Sequence, residues 1–179
     1  MIYEPREDSY LLEEQVKKYS KEKSFLDMGA ANGIQSLSAL KAGAKSTLAV
    51  DIQLEVTKFL KNKGISAIQS DIFSNIKENQ KFDLIAFNPP YLPKDKKEDE
   101  ESSIITSGGK KGDEIILRFL KQVPKHLNKN GKILTVISSL TPRHRIEVLL
   151  RKLNLRKNIL SQQDLFMEKL EVWEISTKQ

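Results

Sequence analysis

A chain of 179 residues with 39% hydrophobic and 30% charged side chains is long enough for one well-buried core and too short for two ordinary ones. With no cysteine and two histidines it excludes disulfides, a thiol nucleophile and a histidine-rich metal centre, and it holds no apolar run long enough for a transmembrane helix. The net charge of +6 permits an anionic partner, yet lysines mostly neighbour acids, as in Lys94-Asp95-Lys96-Lys97-Glu98-Asp99-Glu100-Glu101, and read as solvated surface.

The first eight residues are polar and acidic, unlike a signal peptide, so a cytoplasmic protein without a membrane anchor is expected. Ser9 to Tyr19 is predicted as a helix capped by Ser9, with Leu11, Leu12 and Val16 on one side. Ser24 to Met28 is a short strand leading into Gly29-Ala30-Ala31-Asn32-Gly33, and a small-residue helix then runs to about Ala42 and closes at Gly43. Ser46 to Ile52 is a second strand, Leu54 to Lys63 a helix ending at Gly64, and Ile65 to Ile68 a third strand. Phe82 to Phe87 is a fourth, apolar strand, stopped by Pro89-Pro90, neither of which can donate to a sheet ladder. Lys94 to Lys111 reads as a long lid or binding loop. Asp113 to His126 is a helix kinked at Pro124, Lys132 to Ser138 a strand, Pro142 to Leu153 a helix with proline in its first turn, and Leu170 to Ile175 the last strand. Tyr10, Phe25, Phe59 and Phe119 read as core, Trp173 as packing, and His126 and His144 as surface or capping residues. With no repeat and no linker, residues 1–179 read as one α/β domain, a Rossmann-like, doubly wound and mostly parallel sheet.

Four polar residues stand at successive strand ends, where open α/β sheets bind ligands. Asp27 opens the first strand-to-helix turn, in which Gly29 and Gly33 permit a sharp bend and close approach of backbone to ligand, and the helix N-terminus offers free N–H groups. Asp51, 24 residues on, is placed to accept both hydroxyls of a ribose. Asp71, another 20 on, is placed to accept from an adenine amino group with Ile52 or Ile72 against the ring. Asn88, in Asn88-Pro89-Pro90-Tyr91, presents an amide on a rigid loop after the fourth strand.

These residues resemble a class I S-adenosylmethionine (SAM)-dependent methyltransferase, most closely the HemK/PrmC-like glutamine methyltransferases in the short archaeal–eukaryotic branch that modifies class-1 release factors. Tyr3-Glu4-Pro5-Arg6-Glu7-Asp8-Ser9-Tyr10-Leu11-Leu12 looks like that branch's N-terminal signature, and Asn88-Pro89-Pro90-Tyr91 matches the family's Asn-Pro-Pro-Tyr. Ser107-Gly108-Gly109-Lys110-Lys111-Gly112 is similar to its Gly-Gly-x-x-Gly element, and Glu168-Lys169-Leu170 to its late Glu-Arg/Lys-Leu. The signature, with no extra N-terminal helical domain as in the bacterial enzymes, selects the branch. Two departures stand out. Ala31 occupies a position where the family usually has glycine, so that its methyl either crowds the cofactor or is absorbed by a backbone shift, and the aromatic residue before the Gly-Gly pair is absent.

The resemblance implies a seven-stranded sheet with an antiparallel last strand, SAM as cofactor, no metal, and methyl transfer to a glutamine side-chain amide in the Gly-Gly-Gln loop of a release factor. It assigns Asn88, Pro89 and Tyr91 to catalysis, the Asn88 side chain and Pro89 carbonyl accepting the amide hydrogens while Tyr91 packs on the amide plane. It assigns Ser9, Asp27, Gly29, Ala31, Gly33, Asp51, Ile52, Asp71, Ile72 and Asn88 to the cofactor. It also implies a small zinc-binding activator subunit forming a heterodimer, on an apolar patch around Ile65-Ser66-Ala67-Ile68. The rival readings are an RNA or DNA amino-group (adenine or guanine) methyltransferase, which shares Asn-Pro-Pro-Tyr, a lysine methyltransferase, and a non-catalytic SAM-binding scaffold motivated by Ala31. Nucleic acid is not expected as the direct substrate, because no aromatic-interleaved basic stripe is present. A nicotinamide-dependent dehydrogenase leaves Asn-Pro-Pro-Tyr unexplained.

Overall fold

Pro5 restricts Glu4 to extended backbone, and the first helix begins just beyond it. The structure is a computed structural model describing residues 3–93 and 106–178. Its elements are α1 (Glu7–Tyr19), β1 (Ser24–Met28), α2 (Ile34–Lys41), β2 (Ser46–Asp51), α3 (Leu54–Asn62), β3 (Ala67–Gln69), β4 (Phe82–Phe87), β5 (Leu92–Pro93), β6 (Ser107–Gly109), α4 (Glu114–Gln122), a 3-10 turn (Val123–His126), β7 (Leu127–Ser138), α5 (Arg143–Lys152), β8 (Leu155–Leu165) and β9 (Glu168–Thr177).

Seven strands form one sheet in the order β3-β2-β1-β4-β7-β9-β8. Pairing is parallel from β3 to β7, and β9 runs antiparallel between β7 and β8. Neighbouring strand residues bury into opposite layers, as their alternation requires. Phe25, Leu84, Leu134 and Val172 pack on one face with Leu12 and Val16 of α1 and Ala39 of α2. Leu26, Ile85, Ile133 and Trp173 pack on the other with Phe119 and Leu120 of α4 and Ile146 and Leu150 of α5. The third helix α3 docks through Val56 and Leu60 on Ala49 and Ala67. Helices thus cover both faces, as the sequence leads one to expect. Strand order reverses between β1 and β4, and the loops leaving their carboxyl ends, residues 29–33 and 88–91, flank the resulting crevice.

Several expectations shift. The first helix starts two residues earlier than Ser9: Arg6 is its extended N-cap, Glu7 and Asp8 face its positive end, and Ser9 is buried inside the first turn. The third strand is Ala67–Gln69, because Ile65 turns inward against α3 after Gly64, whose φ is +76°. Pro124 converts the end of the helix into the 3-10 turn rather than merely kinking it. Pro142 is the N-cap of α5, not its first residue. Tyr10 is 53% exposed, not core. His126 is buried, stacked on Phe73 at 4.4 Å with Nδ1 2.9 Å from the Gln80 carbonyl. The long loop expected over Lys94 to Lys111 ends in a strand, since Ser107–Gly109 pairs with Leu92–Pro93, while the charge run 94–101 lies outside the described residues. Strand β8 was not legible in the sequence.

Candidate active site

The crevice opens into a cavity of about 460 Å3 lined by Ser9, Asp27, Gly29, Ala31, Asp51, Ile52, Asp71, Ile72, Asn88, Pro89 and Tyr91. Every residue singled out from the sequence lines it except Gly33. That glycine (φ +83°) faces the helix layer instead, where a Cβ would stand 2.6 Å from Leu60 Cδ2 and 3.1 Å from Ile65 Cδ1. Its function is close docking of the turn on α3.

Asp27, at the end of the central strand, is 2% exposed, and its Oδ2 accepts from the Ser36 backbone N–H at 2.9 Å and the Ser36 hydroxyl at 2.7 Å. It therefore ties the start of α2 to the sheet. Burial, together with the nearby Asp51 charge, pushes its carboxyl up to about 7 against the lowering effect of the Ser36 hydrogen bonds. The native state then holds a proton that the unfolded chain releases near pH 4, so this contribution to stability is full below that pH and is lost as pH rises to about 7. Asp27→Asn should gain stability relative to wild type over that interval, by at most about 1.4 kcal/mol per pH unit. Thermal unfolding at pH 5 and pH 8 checks this, and a constant gap between the two proteins would exclude a protonated Asp27.

Asp51 closes β2, and burial raises its pKa as well. Its Oδ2 accepts the Ala31 N–H at 3.1 Å and its Oδ1 the Gln53 N–H at 2.9 Å, which orients the carboxylate while leaving further lone pairs toward the cavity. The turn is less rich in free donors than the sequence suggested. The N–H groups of Ala30, Ala31, Gly33 and Ile34 are already bonded to Val50, Asp51, Ala30 and the Asn32 side chain. Ala31 has φ +47°, the left-handed region that explains a glycine preference here. The Ala31 methyl is therefore carried on backbone that disfavours a side chain. Ala31→Gly should raise unfolding stability by about 1 kcal/mol; a denaturant midpoint unchanged or lowered in the variant would show that no strain resides there.

Asp71 pairs with Arg118 at 2.7 Å across the exposed rim. Ile52 is 49% exposed beside it and Ile72 is buried at φ +53°, an apolar edge of the kind that takes a planar ring. Asn88 ends the series: its Oδ1 is buried and has no hydrogen-bond partner among the described residues. An orphaned acceptor of this kind is costly unless a ligand satisfies it.

Residues at the two ends of the chain complete the cavity, and sequence reasoning gave them no role. Tyr3 donates its hydroxyl to the Asp8 carboxylate at 3.1 Å, and Tyr91 is hydrogen-bonded to Glu168, which also accepts from Ser138 at 2.6 Å. Burial first, and then the Asp8 and Glu168 charges, hold the Tyr91 hydroxyl well above the ordinary tyrosine range, so it stays a donor. Tyr3, Asp8 and Glu168 sat inside quoted motifs, which was the available signal. Gln35, whose Nε2 donates to the Ser9 carbonyl at 2.9 Å, carried none.

The lining carries six carboxyl groups, on Glu7, Asp8, Asp27, Asp51, Asp71 and Glu168, against the one guanidinium of Arg6 among the described residues. Asp27 holds a proton up to about pH 7 and Arg118 pairs with Asp71, so Glu7, Asp8, Asp51 and Glu168 give the cavity its acidic excess, which suits a nucleoside bearing positive charge better than a pyrophosphate. The acceptor set fits SAM, with its ribose diol, sulfonium and ammonium groups.

Comparison with known proteins agrees. The methyltransferase small domain model matches residues 7–166. A Methanocaldococcus jannaschii protein, provisionally named a protein N5-glutamine methyltransferase, is 40% identical over 148 residues, which cover 78% of this chain and 74% of that one. A release factor glutamine methyltransferase of Rhodopirellula baltica is 30% identical over 132 residues, covering 64% of this chain and 44% of its own length. In three dimensions the chain superposes on the E. cuniculi Mtq2–Trm112 complex, responsible for methylating the translation termination factor eRF1, with TM-score 0.80, 21% identity and 99% of both chains covered. No helix among the described residues is long and apolar enough to cross a membrane. By sequence and fold alike, the chain belongs to the methyltransferase small-domain family, in its HemK/PrmC-like branch.

Proposed function

We propose that this chain, acting as one catalytic domain in the cytoplasm, transfers a methyl group from SAM to the side-chain amide nitrogen of a glutamine in a protein, the Gly-Gly-Gln loop of a class-1 release factor. The observation that carries the reading is the buried, unpartnered Asn88 Oδ1 at the end of an acid-lined cavity. An amide nitrogen is a poor nucleophile because its lone pair is delocalised into the carbonyl. Asn88 Oδ1 supplies a preorganised acceptor for one amide hydrogen, and the Pro89 carbonyl is assigned the other, which holds the nitrogen in line and lets the pair localise. SAM supplies an electrophilic methyl whose leaving group is a neutral thioether. On methylation the amide nitrogen would give up one of the two hydrogens held by Asn88 and Pro89, as a proton passed on to solvent, so no strong base is required of the chain. Asp51 is assigned the ribose hydroxyls, Asp71 the adenine amino group, Ile52 and Ile72 the ring faces, and Ser9, Asp27, Gly29 and Ala31 the methionine end.

Asp51→Ala should weaken SAM binding by on the order of 1–3 kcal/mol. Calorimetric titration checks it, and an unchanged isotherm would remove Asp51 from the cofactor site. The reaction itself is tested by mass spectrometry of a release factor incubated with SAM and the chain, with Asn88→Ala as control. One added methyl on the glutamine, absent in the control, is expected. A methyl found on RNA in place of protein would favour the amino-group methyltransferase, which shares Asn88-Pro89-Pro90-Tyr91 and which the overall charge of +6 also recommends. We assign a small zinc-binding activator subunit to the edge strand β3, which pairs only with β2 among the described residues and leaves Ile68 partly buried, whereas Ile65 and Ala67 of the expected patch pack into the core. Turnover that appears only with such a subunit would support it.

A further inference from the structure

The turn joining β8 to β9 consists of Phe166 and Met167 alone. Two-residue hairpin turns favour asparagine, aspartate and glycine, because they demand left-handed backbone and face water. Here Met167 takes φ +59°, and the two side chains are 94% and 82% exposed. Both local rules are broken at one place, and breaches of this kind collect at functional sites.

The place is the mouth of the active site. Leu165 on one side of the turn and Glu168 on the other both line the cavity, and Glu168 is bonded to Tyr91 of the Asn88 loop. Leu92, the residue after Tyr91, adds another partly exposed apolar side chain to the same lining. A strand residue spans roughly 3.4 Å, so the turn stands within one residue of the lining on either side. The turn therefore stands within reach of a folded protein that brings a glutamine to Asn88.

We infer that Phe166 and Met167 form an apolar docking tip for the body of the protein substrate, outside the pocket that takes its glutamine. This rests on the proposed glutamine methylation. The tip supplies affinity through burial on binding, while Asn88 and its loop supply chemistry, so the two separate kinetically.

The test is a double substitution, Phe166→Ser with Met167→Ser, assayed for methylation of an intact class-1 release factor under conditions that give wild-type turnover. KM for the factor should rise roughly ten- to hundred-fold, with kcat at saturation and the SAM dissociation constant unchanged. An unchanged KM overturns the docking tip. So does an equal fall in kcat or in SAM affinity, because the turn would then be shaping the cavity. Concentration-dependent dimerisation lost in the variant, seen by sedimentation, would make a second copy of the chain the occupant and overturn it as well. A wild-type protein that leaves the factor's glutamine unmethylated refutes the underlying reading, a result distinct from wild-type turnover with no change in the variant.

Discussion

Asn88→Ala should lower kcat by roughly 10²–10³-fold while SAM binds nearly as before. The expectation follows from where the side chain stands. It lies at the end of β4, directly after Phe87, with Oδ1 buried and unsatisfied among the described residues. Asp51 and Asp71, the carboxylates we assign to the cofactor, come from β2 and from the segment after β3 instead. Removing the amide takes away an acceptor aimed at the nucleophile and leaves the nucleoside end of the cavity untouched. It also removes a buried orphan, so the variant should unfold no more readily than wild type. Single-turnover kinetics with a parallel SAM titration separates the two effects. Full turnover in the variant would transfer the role to another group, and loss of SAM affinity alone would make Asn88 a cofactor ligand only.

The second large effect is expected far along the chain. Gly108→Ala should cost kcat on the order of 10²-fold, again with SAM binding nearly intact. A Cβ at Gly108 would stand 2.7 Å from the Pro90 carbonyl oxygen and overlap the Gly112 carbonyl. Gly112 (φ +87°) in turn leaves no room for a Cβ, which would overlap the Tyr91 carbonyl and stand 3.2 Å from Pro93 N. These are backbone contacts that no rotamer change relieves, so the added methyl must push the Gly112 carbonyl and, with it or directly, the Pro90–Tyr91 segment packed against both glycines. A displacement of about 1 Å in a group that aligns a nucleophile is enough for a loss of this size. Gly64→Ala is the control, since its φ is +76° and nothing lies within 4 Å of the added Cβ. It should lose stability without losing turnover. Equal kcat in Gly108→Ala and wild type would show that the loop yields without moving Asn88.

Much of the fold was legible because it is written locally. The apolar run Phe82–Phe87 followed by two prolines, the helix-ending Gly43 and Gly64, and the alternating strand and helix patterns each depend on a few neighbouring residues. Strand β8 escaped for the opposite reason. Its sequence, Leu155 to Leu165, is largely polar and shows no clean alternation, since it is an edge strand held on one side by β9. Pairing fixed it, not propensity. The first residues of β7, before the expected Lys132, are similar: Asn130 at φ +66° and the register shift between Phe82 and Leu84 hide a continuous strand behind an irregular start.

The site divides along the same line. Asp27, Asp51, Asp71 and Asn88 were recognisable because strand ends in a parallel sheet converge, so spacing along the chain becomes proximity in space. Gly33 falls outside the cavity, because two glycines in one turn look alike in sequence while one lines the cavity and the other faces a leucine of α3. Asp8 and Glu168 belong to opposite ends of the chain, and only the closing of α1 and β9 over the crevice joins them around Tyr91. The sequence by itself determined the strand ends, the rigid Asn88-Pro89-Pro90-Tyr91 loop and hence the chemistry, because each is set by short-range backbone restriction. The tertiary structure alone decided the orphaned acceptor on Asn88, the acidic wall of the cavity and the apolar tip at its mouth, because burial and charge at a point are sums over residues that no local pattern brings together.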